Sequence, residues 1–155
     1  YLFPRDVQAS VVVRKLKDTF DAKTNPFIND ISVSGYSLNQ LMTLASIIER
    51  ETKTDEERPI VAGILLKRVE SGVPLQTDAS LQYAVANSKL KGQNSKLDNY
   101  WEILTKNNLD IDSPYNTYSN TGFPPTPIAN SGLSSIEAAV NPEESLYWYY
   151  IHDPE

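Results

Sequence analysis

The sequence predicts an α+β fold: a helical pair packed on a small, mainly antiparallel sheet, with long loops forming a cleft. Three observations predict it. Helix-start signatures at Ser37–Gln40 and Thr54–Glu57 each precede an apolar-periodic run. The segment Leu146-Tyr147-Trp148-Tyr149-Tyr150-Ile151 is the strongest strand signal in the chain. Prolines crowd the last third, so that region reads as loops.

The elements follow in order. Asp6 is a candidate N-cap for a helix reaching Phe20, with Val7, Val11, Leu16 and Phe20 on its apolar face. Lys23 to Tyr36 holds Asn25, Pro26, Asn29, Asp30 and Gly35 and reads as a connecting loop. Ser37 with Gln40 forms a capping box, and Leu38, Leu41, Met42, Leu44, Ala45, Ile47 and Ile48 carry the helix to about Thr52. The second helix tolerates Pro59 only in its first turn, runs to about Glu70 and stops at Gly72. Asp78 or Ser80 can cap a short third helix over Leu81 to Ala86. Asn87 to Asn99 reads as a polar excursion, and Trp101 to Leu104 as one helical turn. Tyr115 to Pro127 is loop, because its prolines suit neither a central strand nor a helix interior. Ser134 with Glu137 reads as a capping box over Ile136 to Val140.

Composition excludes several classes. The 155 residues contain no cysteine, so disulfides and thiolate metal sites are out. The only histidine is His152, which rules out a multi-histidine metal site and reads as a surface or packing residue. Twenty acidic against 14 basic residues give a net charge of −6, a poor balance for neutralising phosphates. No apolar run approaches the roughly 20 residues needed to cross a bilayer. The chain reads as one domain, residues 1–155, cut from a longer protein.

Candidate chemistry centres on Glu49 and Glu51. Both lie at the end of the capped helix, at the edge of its apolar face, where partial desolvation favours a protonated carboxyl. Each falls roughly 70–90° from the centre of that face at about 100° per residue, so periodicity does not choose between them. The plain alternative is a pair of solvated acids beside Arg50 and Lys53. The second constellation runs from Tyr115 to Pro125. Tyrosine faces with Asn and Thr groups on a proline-braced loop suit a sugar, although an ordinary turn region accounts for them too. The third, Leu75-Gln76-Thr77-Asp78, either sets polar groups beside the acidic helix end or is a loop closing in an N-cap.

Together, Leu44-Ala45-Ser46-Ile47-Ile48-Glu49-Arg50-Glu51-Thr52, Val61-Ala62-Gly63 with Lys67-Arg68, Leu75-Gln76-Thr77-Asp78, and Tyr115-Asn116-Thr117-Tyr118 with Gly122-Phe123-Pro124-Pro125 and Pro127-Ile128 resemble the MltG (YceG-like) family. Its members are bacterial endolytic murein transglycosylases. The resemblance implies cleavage of the β-1,4 bond between N-acetylmuramic acid and N-acetylglucosamine, leaving a 1,6-anhydro end. It implies Glu51, the second acid of the family's Glu-x-Glu-Thr motif, as general acid and then base, and Glu49 in a supporting, substrate-binding role. Gln76, Thr77, Tyr115, Asn116, Thr117 and Tyr118 match positions expected to line the glycan groove. No metal or organic cofactor is implied.

The implied partners are peptidoglycan glycan strands and, through the full-length protein, peptidoglycan synthases and divisome or elongasome proteins. The implied location is the extracytoplasmic face of the bacterial cell membrane, held by an N-terminal anchor and accompanied by a LysM-like module. The sequence departs from the family in following Pro4 with Arg5 rather than an acid. Family members usually continue past the last expected strand with a further polar, aromatic segment, whereas this sequence ends at Glu155. Two other readings compete: a non-catalytic peptidoglycan-binding or divisome scaffold, and a lysozyme-like hydrolase.

Overall fold

A computed structural model describes residues 1–90 and 99–151. Helix α1 spans Ala9–Thr24 and passes through a 3-10 turn, Asn25–Phe27, into α2, Ile28–Val33. The expected N-cap, Asp6, lies before the helix; Gln8 holds the N-cap position without a side-chain bond. Helical backbone also replaces most of the loop expected over 23–36. Pro26 sits at the start of the 3-10 turn, where a missing N–H costs nothing. Most of the apolar face of α1 stays in water: Val11, Val13, Leu16 and Phe20 are all exposed.

Helix α3, Leu38–Glu51, is the centre of the core. Its capping box forms as the sequence implies: Gln40 N–H donates to Ser37 Oγ at 3.3 Å, and Ser37 N–H donates to Gln40 Oε1 at 2.9 Å. Leu41, Leu44, Ala45, Ile47 and Ile48 are wholly buried, each worth roughly 1.5–3 kcal/mol of transfer free energy for the large aliphatics. Helix α4, Glu57–Glu70, takes Pro59 in its first turn. It closes in a Schellman motif: Val73 N–H donates to Arg68 O at 2.8 Å and Gly72 N–H to Val69 O at 3.1 Å, with Gly72 at φ +67°. Helix α5 spans Asp78–Leu90, longer at both ends than the short helix expected, and α6 spans Leu133–Val140. Helices α4, α5 and α6 all pack on α3. Trp101 to Leu104 is not helical; a 3-10 turn forms instead at Lys106–Asn108.

The α+β expectation is overturned: among the described residues there is no strand and no sheet, and the fold is helical. The decisive segment is 146–151. Its aromatic, β-branched composition reports fitness for a pleated surface beside other strands, and no second strand exists among the described residues to pair with it. It lies instead as an irregular strap along α4. The ammonium of Lys67 donates to the carbonyls of Ser145 and Tyr147, the latter at 2.7 Å, and Arg68 Nη1 donates to Trp148 O at 3.4 Å. The same cations lie over the Trp148 ring at 5.1 Å and the Tyr149 ring at 5.2 Å. The carbonyls of Tyr147 and Trp148, which a sheet would pair, thus pair with α4 side chains.

Candidate active site

Glu51 is the last residue of α3 and half-buried. Its Oε1 accepts the Ala79 N–H at 3.1 Å, one of the first-turn donors of α5 that have no partner within the helix. Its Oε2 accepts the Tyr150 hydroxyl at 3.0 Å. The carboxyl therefore joins three parts of the chain: the C-terminal end of α3, the N-terminal end of α5 and the strap. It lies on a cleft of about 250 Å³, whose other polar lining is Arg68, Gln76, Asp78, Tyr118, Tyr149 and Tyr150, with Leu75 as the apolar part.

The cleft wall is electrostatically ordered. Tyr118 donates to Asp78 Oδ1 at 2.6 Å. Burial, then this bond to Asp78, pushes the Tyr118 phenol well above the usual tyrosine range. Burial, followed by the charge of Glu51 and the bond to it, does the same to Tyr150. Both phenols thus stay neutral hydrogen-bond donors well past neutral pH. Arg68, only 4 % exposed, donates from Nε to Pro74 O at 3.0 Å and from Nη2 to Gln76 Oε1 at 2.9 Å.

The structure separates the two candidate glutamates. Glu49 does not line this cleft. Its Oε2 accepts the Ser135 hydroxyl at 2.6 Å and the Gly132 N–H at 2.9 Å. Those bonds, the Ser135 one foremost, hold its carboxyl below the ordinary glutamate value. Glu49 thereby supplies the cap of α6 from another helix. Ser134, expected to cap it, lies inside α6, and Gly132 at the N-cap has no side-chain bond.

Of the loop residues singled out in the sequence, Leu75, Gln76, Asp78 and Tyr118 line the cleft. Thr77, Asn116 and Thr117 are buried behind it. Thr117 Oγ1 accepts Thr77 N–H at 3.0 Å and shares a buried hydroxyl cluster with Thr77 and Ser80, at 3.3 and 2.7 Å. Asn116 Nδ2 donates to the carbonyls of Leu109 and Ile111 at 2.9 and 3.0 Å, and its Oδ1 accepts Tyr118 N–H at 3.1 Å. These groups fix the loop on which Tyr118 stands. Tyr115 packs against Tyr83, ring centres 4.7 Å apart, and shares a 2.7 Å hydrogen bond with Thr126. His152 lies outside the described residues.

Sequence reasoning did not single out Arg68, Tyr149 or Tyr150 as site residues. A signal existed for Arg68: it continues the apolar spacing of Val61, Ile64 and Leu65, and a cation on a buried face needs several acceptors. Among the described residues no group of acids and histidines is arranged to hold a metal ion. None of the described helices is long and apolar enough to cross a membrane.

With this geometry in hand, the comparisons place the chain. It matches the YceG-like family over residues 1–155 and belongs to that family. It is 35 % identical to an endolytic murein transglycosylase of Bacillus subtilis, over 97 % of this chain and 41 % of that protein. A second such enzyme, from Streptococcus pneumoniae, is 33 % identical over 99 % of this chain and 28 % of its own length. The chain thus spans well under half of these relatives. A crystal structure of a yceG-like protein from Listeria monocytogenes superposes with a TM-score of 0.82 at 33 % identity, covering all of this chain and 47 % of that one.

Proposed function

We propose that the chain is the catalytic domain of a lytic transglycosylase that cuts murein glycan strands internally, with Glu51 as its acid and base. One observation carries the reading: Glu51 is held by Ala79 and Tyr150 on the wall of an open, tyrosine-lined cleft. The murein substrate comes from the relatives, which are named endolytic murein transglycosylases.

In the proposed reaction, protonated Glu51 donates its proton to the oxygen between N-acetylmuramic acid and N-acetylglucosamine. The bond from that oxygen to C1 of the muramic acid breaks, leaving an oxocarbenium-like centre. The same sugar's C6 hydroxyl then bonds to C1, and its proton passes to the Glu51 carboxylate. Glu51 ends as it began, water is not consumed, and a 1,6-anhydro end forms. One carboxyl suffices because the two proton transfers occur in sequence. Ala79 and Tyr150 fix the carboxyl's orientation through both steps, the kind of positioning on which general acid catalysis depends. The whole protein is proposed to work outside the bacterial cell membrane, anchored by its own chain and serving peptidoglycan synthesis machinery.

A second reading has one observation in its favour. Asp78 shares the cleft, and paired carboxylates are the usual equipment of a glycoside hydrolase. Mass spectrometry of peptidoglycan digested by the chain and by Glu51→Gln tests both. The proposal expects ends lighter by one water than reducing ends, and turnover lowered by about 10²–10⁴-fold or more in Glu51→Gln. Reducing ends would establish the hydrolase. Binding of glycan without release of any product would establish a scaffold.

A further inference from the structure

We propose that Gln76, oriented by Arg68, is the specificity-determining residue of the cleft and selects the acetamido carbonyl of an N-acetylhexosamine. The inference rests on the reading of the cleft as a glycan site and adds the group it recognises.

A guanidinium only donates hydrogen bonds. Arg68 is buried, and its Nη2 donates to Gln76 Oε1 at 2.9 Å. The opposite orientation of the amide would set N–H against N–H, so Arg68 settles which end of Gln76 faces outward. Nε2 then presents two N–H donors and makes no hydrogen bond to any described residue. Gln76 is exposed and lines the cleft with Glu51.

The backbone holds this arrangement. Gln76 has φ +52°, the only positive φ of a non-glycine among the described residues. That conformation is disfavoured for a residue with a Cβ, and it persists where the surroundings over-determine it. Here Gln76 N–H donates to Thr117 O at 3.0 Å, and the next residue, Thr77, is locked in the buried hydroxyl cluster. The Gln76 side chain is thereby aimed into the cleft.

A corner that offers only donors suits a group that only accepts. Sugar hydroxyls both donate and accept, so they meet such a corner and an acceptor corner equally well. An acetamido carbonyl only accepts, so it matches the Gln76 amide and not an acceptor in its place. Gln76→Glu reverses the polarity: one carboxylate oxygen pairs with Arg68 and the other faces the cleft as an acceptor.

The test measures binding of two uncharged tetramers, of β-1,4-linked N-acetylglucosamine and of β-1,4-linked glucose, which differ in the group at C2. It uses the Glu51→Gln chain, with and without Gln76→Glu, by calorimetry. The parent is expected to prefer the acetamido tetramer, and Gln76→Glu to lower that preference about ten-fold, the worth of one well-made hydrogen bond. Arg68→Lys keeps the charge, lacks the fork that fixes the amide, and is expected to lower the preference as well. The same preference in parent and Gln76→Glu, with murein cleaved by the chain that keeps Glu51, would overturn this inference and leave the proposed function standing. Binding of neither tetramer, with murein left uncut, would overturn both.

Discussion

The hydroxyl of Tyr150 donates to Oε2 of Glu51 at 3.0 Å across 99 residues of sequence. Tyr150 is held there by the strap, which α4 fastens through Lys67 and Arg68. Its ring packs against the main core. Tyr150→Phe keeps that packing and deletes one donor to the carboxyl. It is expected to cost about 1 kcal/mol of stability, the net worth of a hydrogen bond. Turnover is expected to fall about ten-fold or more with KM little changed, because the lost contact orients the reacting group. Steady-state kinetics beside a melting curve checks this. Unchanged turnover would reduce Tyr150 to a packing residue.

Alkaline pH gives an independent test of the tyrosines. Tyr36 is pushed up to about 12, by burial first and then by its hydrogen bond to Glu70. Tyr118 and Tyr150 are raised further in the same direction, again with burial foremost. In the unfolded chain all three ionise near about pH 10. Their folded-state values are raised, so the unfolded state releases protons first. The stability they contribute is complete below about pH 10 and is lost as pH climbs above it. The melting temperature should therefore drop from about pH 10 upward, and the drop should be shallower in Tyr118→Phe and Tyr150→Phe. The phenolate absorbance of the three should appear together with unfolding; early, non-cooperative ionisation of all nine tyrosines would contradict their burial.

Glu49 should behave as an α6 cap. Its folded-state value is lowered, chiefly by Ser135. Its contribution is thus present above the ordinary glutamate range and lost as pH falls through the folded value. Glu49→Gln is expected to lower stability at neutral pH by about 1 kcal/mol, in the range of a lost helix cap. It should also flatten the acid limb of the stability profile and leave turnover per folded molecule within about two-fold, since the side chain does not line the cleft. Thermal melts from well below the ordinary glutamate value up to neutral pH, with kinetics, decide it. A large loss of turnover without loss of stability would return Glu49 to the substrate.

Local signals carried much of the fold. Ser37 and Gln40 form their box, Gly72 ends α4 in a Schellman motif, and the apolar face of α3 becomes the core. The box and the helix end are interactions within one turn, and the apolar face is a helical period, all of which nearby residues determine. The sheet failed because a strand is defined by its neighbour, and the 146–151 segment found Lys67 and Arg68 instead. The α6 cap failed for a related reason: Ser134 and Glu137 have the right spacing, but Glu49 reaches the helix end from another element. In the site, periodicity left Glu49 and Glu51 equal; the family resemblance and then their tertiary placement part them. The Tyr115–Tyr118 loop was found as a unit, yet its buried Asn116 and Thr117 serve the loop's own shape. Side-chain direction in a loop has no period to read.

Gly63 tests whether the strap's seat on α4 governs the cleft. A Cβ on Gly63 would stand 1.9 Å from the carbonyl oxygen of Glu143 and 3.0 Å from its carbon. That carbonyl is backbone and belongs to a residue whose N–H donates to Pro59 O at 2.9 Å. It has no flexible end that could swing aside. Gly63→Ala must therefore lift Glu143, and with it the chain leading into the strap, or bend α4, and overpacking of this kind costs about 1–3 kcal/mol. The displacement carries to Tyr149 and Tyr150, so turnover per folded molecule should fall as it does in Tyr150→Phe. Gly72→Ala is the control. Nothing lies within 4 Å of its added Cβ, and its cost is the φ of +67°, worth about 1 kcal/mol of local strain. It should lose stability and keep full turnover per folded molecule. If Gly63→Ala also kept full turnover, Tyr150 would reach Glu51 without help from the strap's contact with α4.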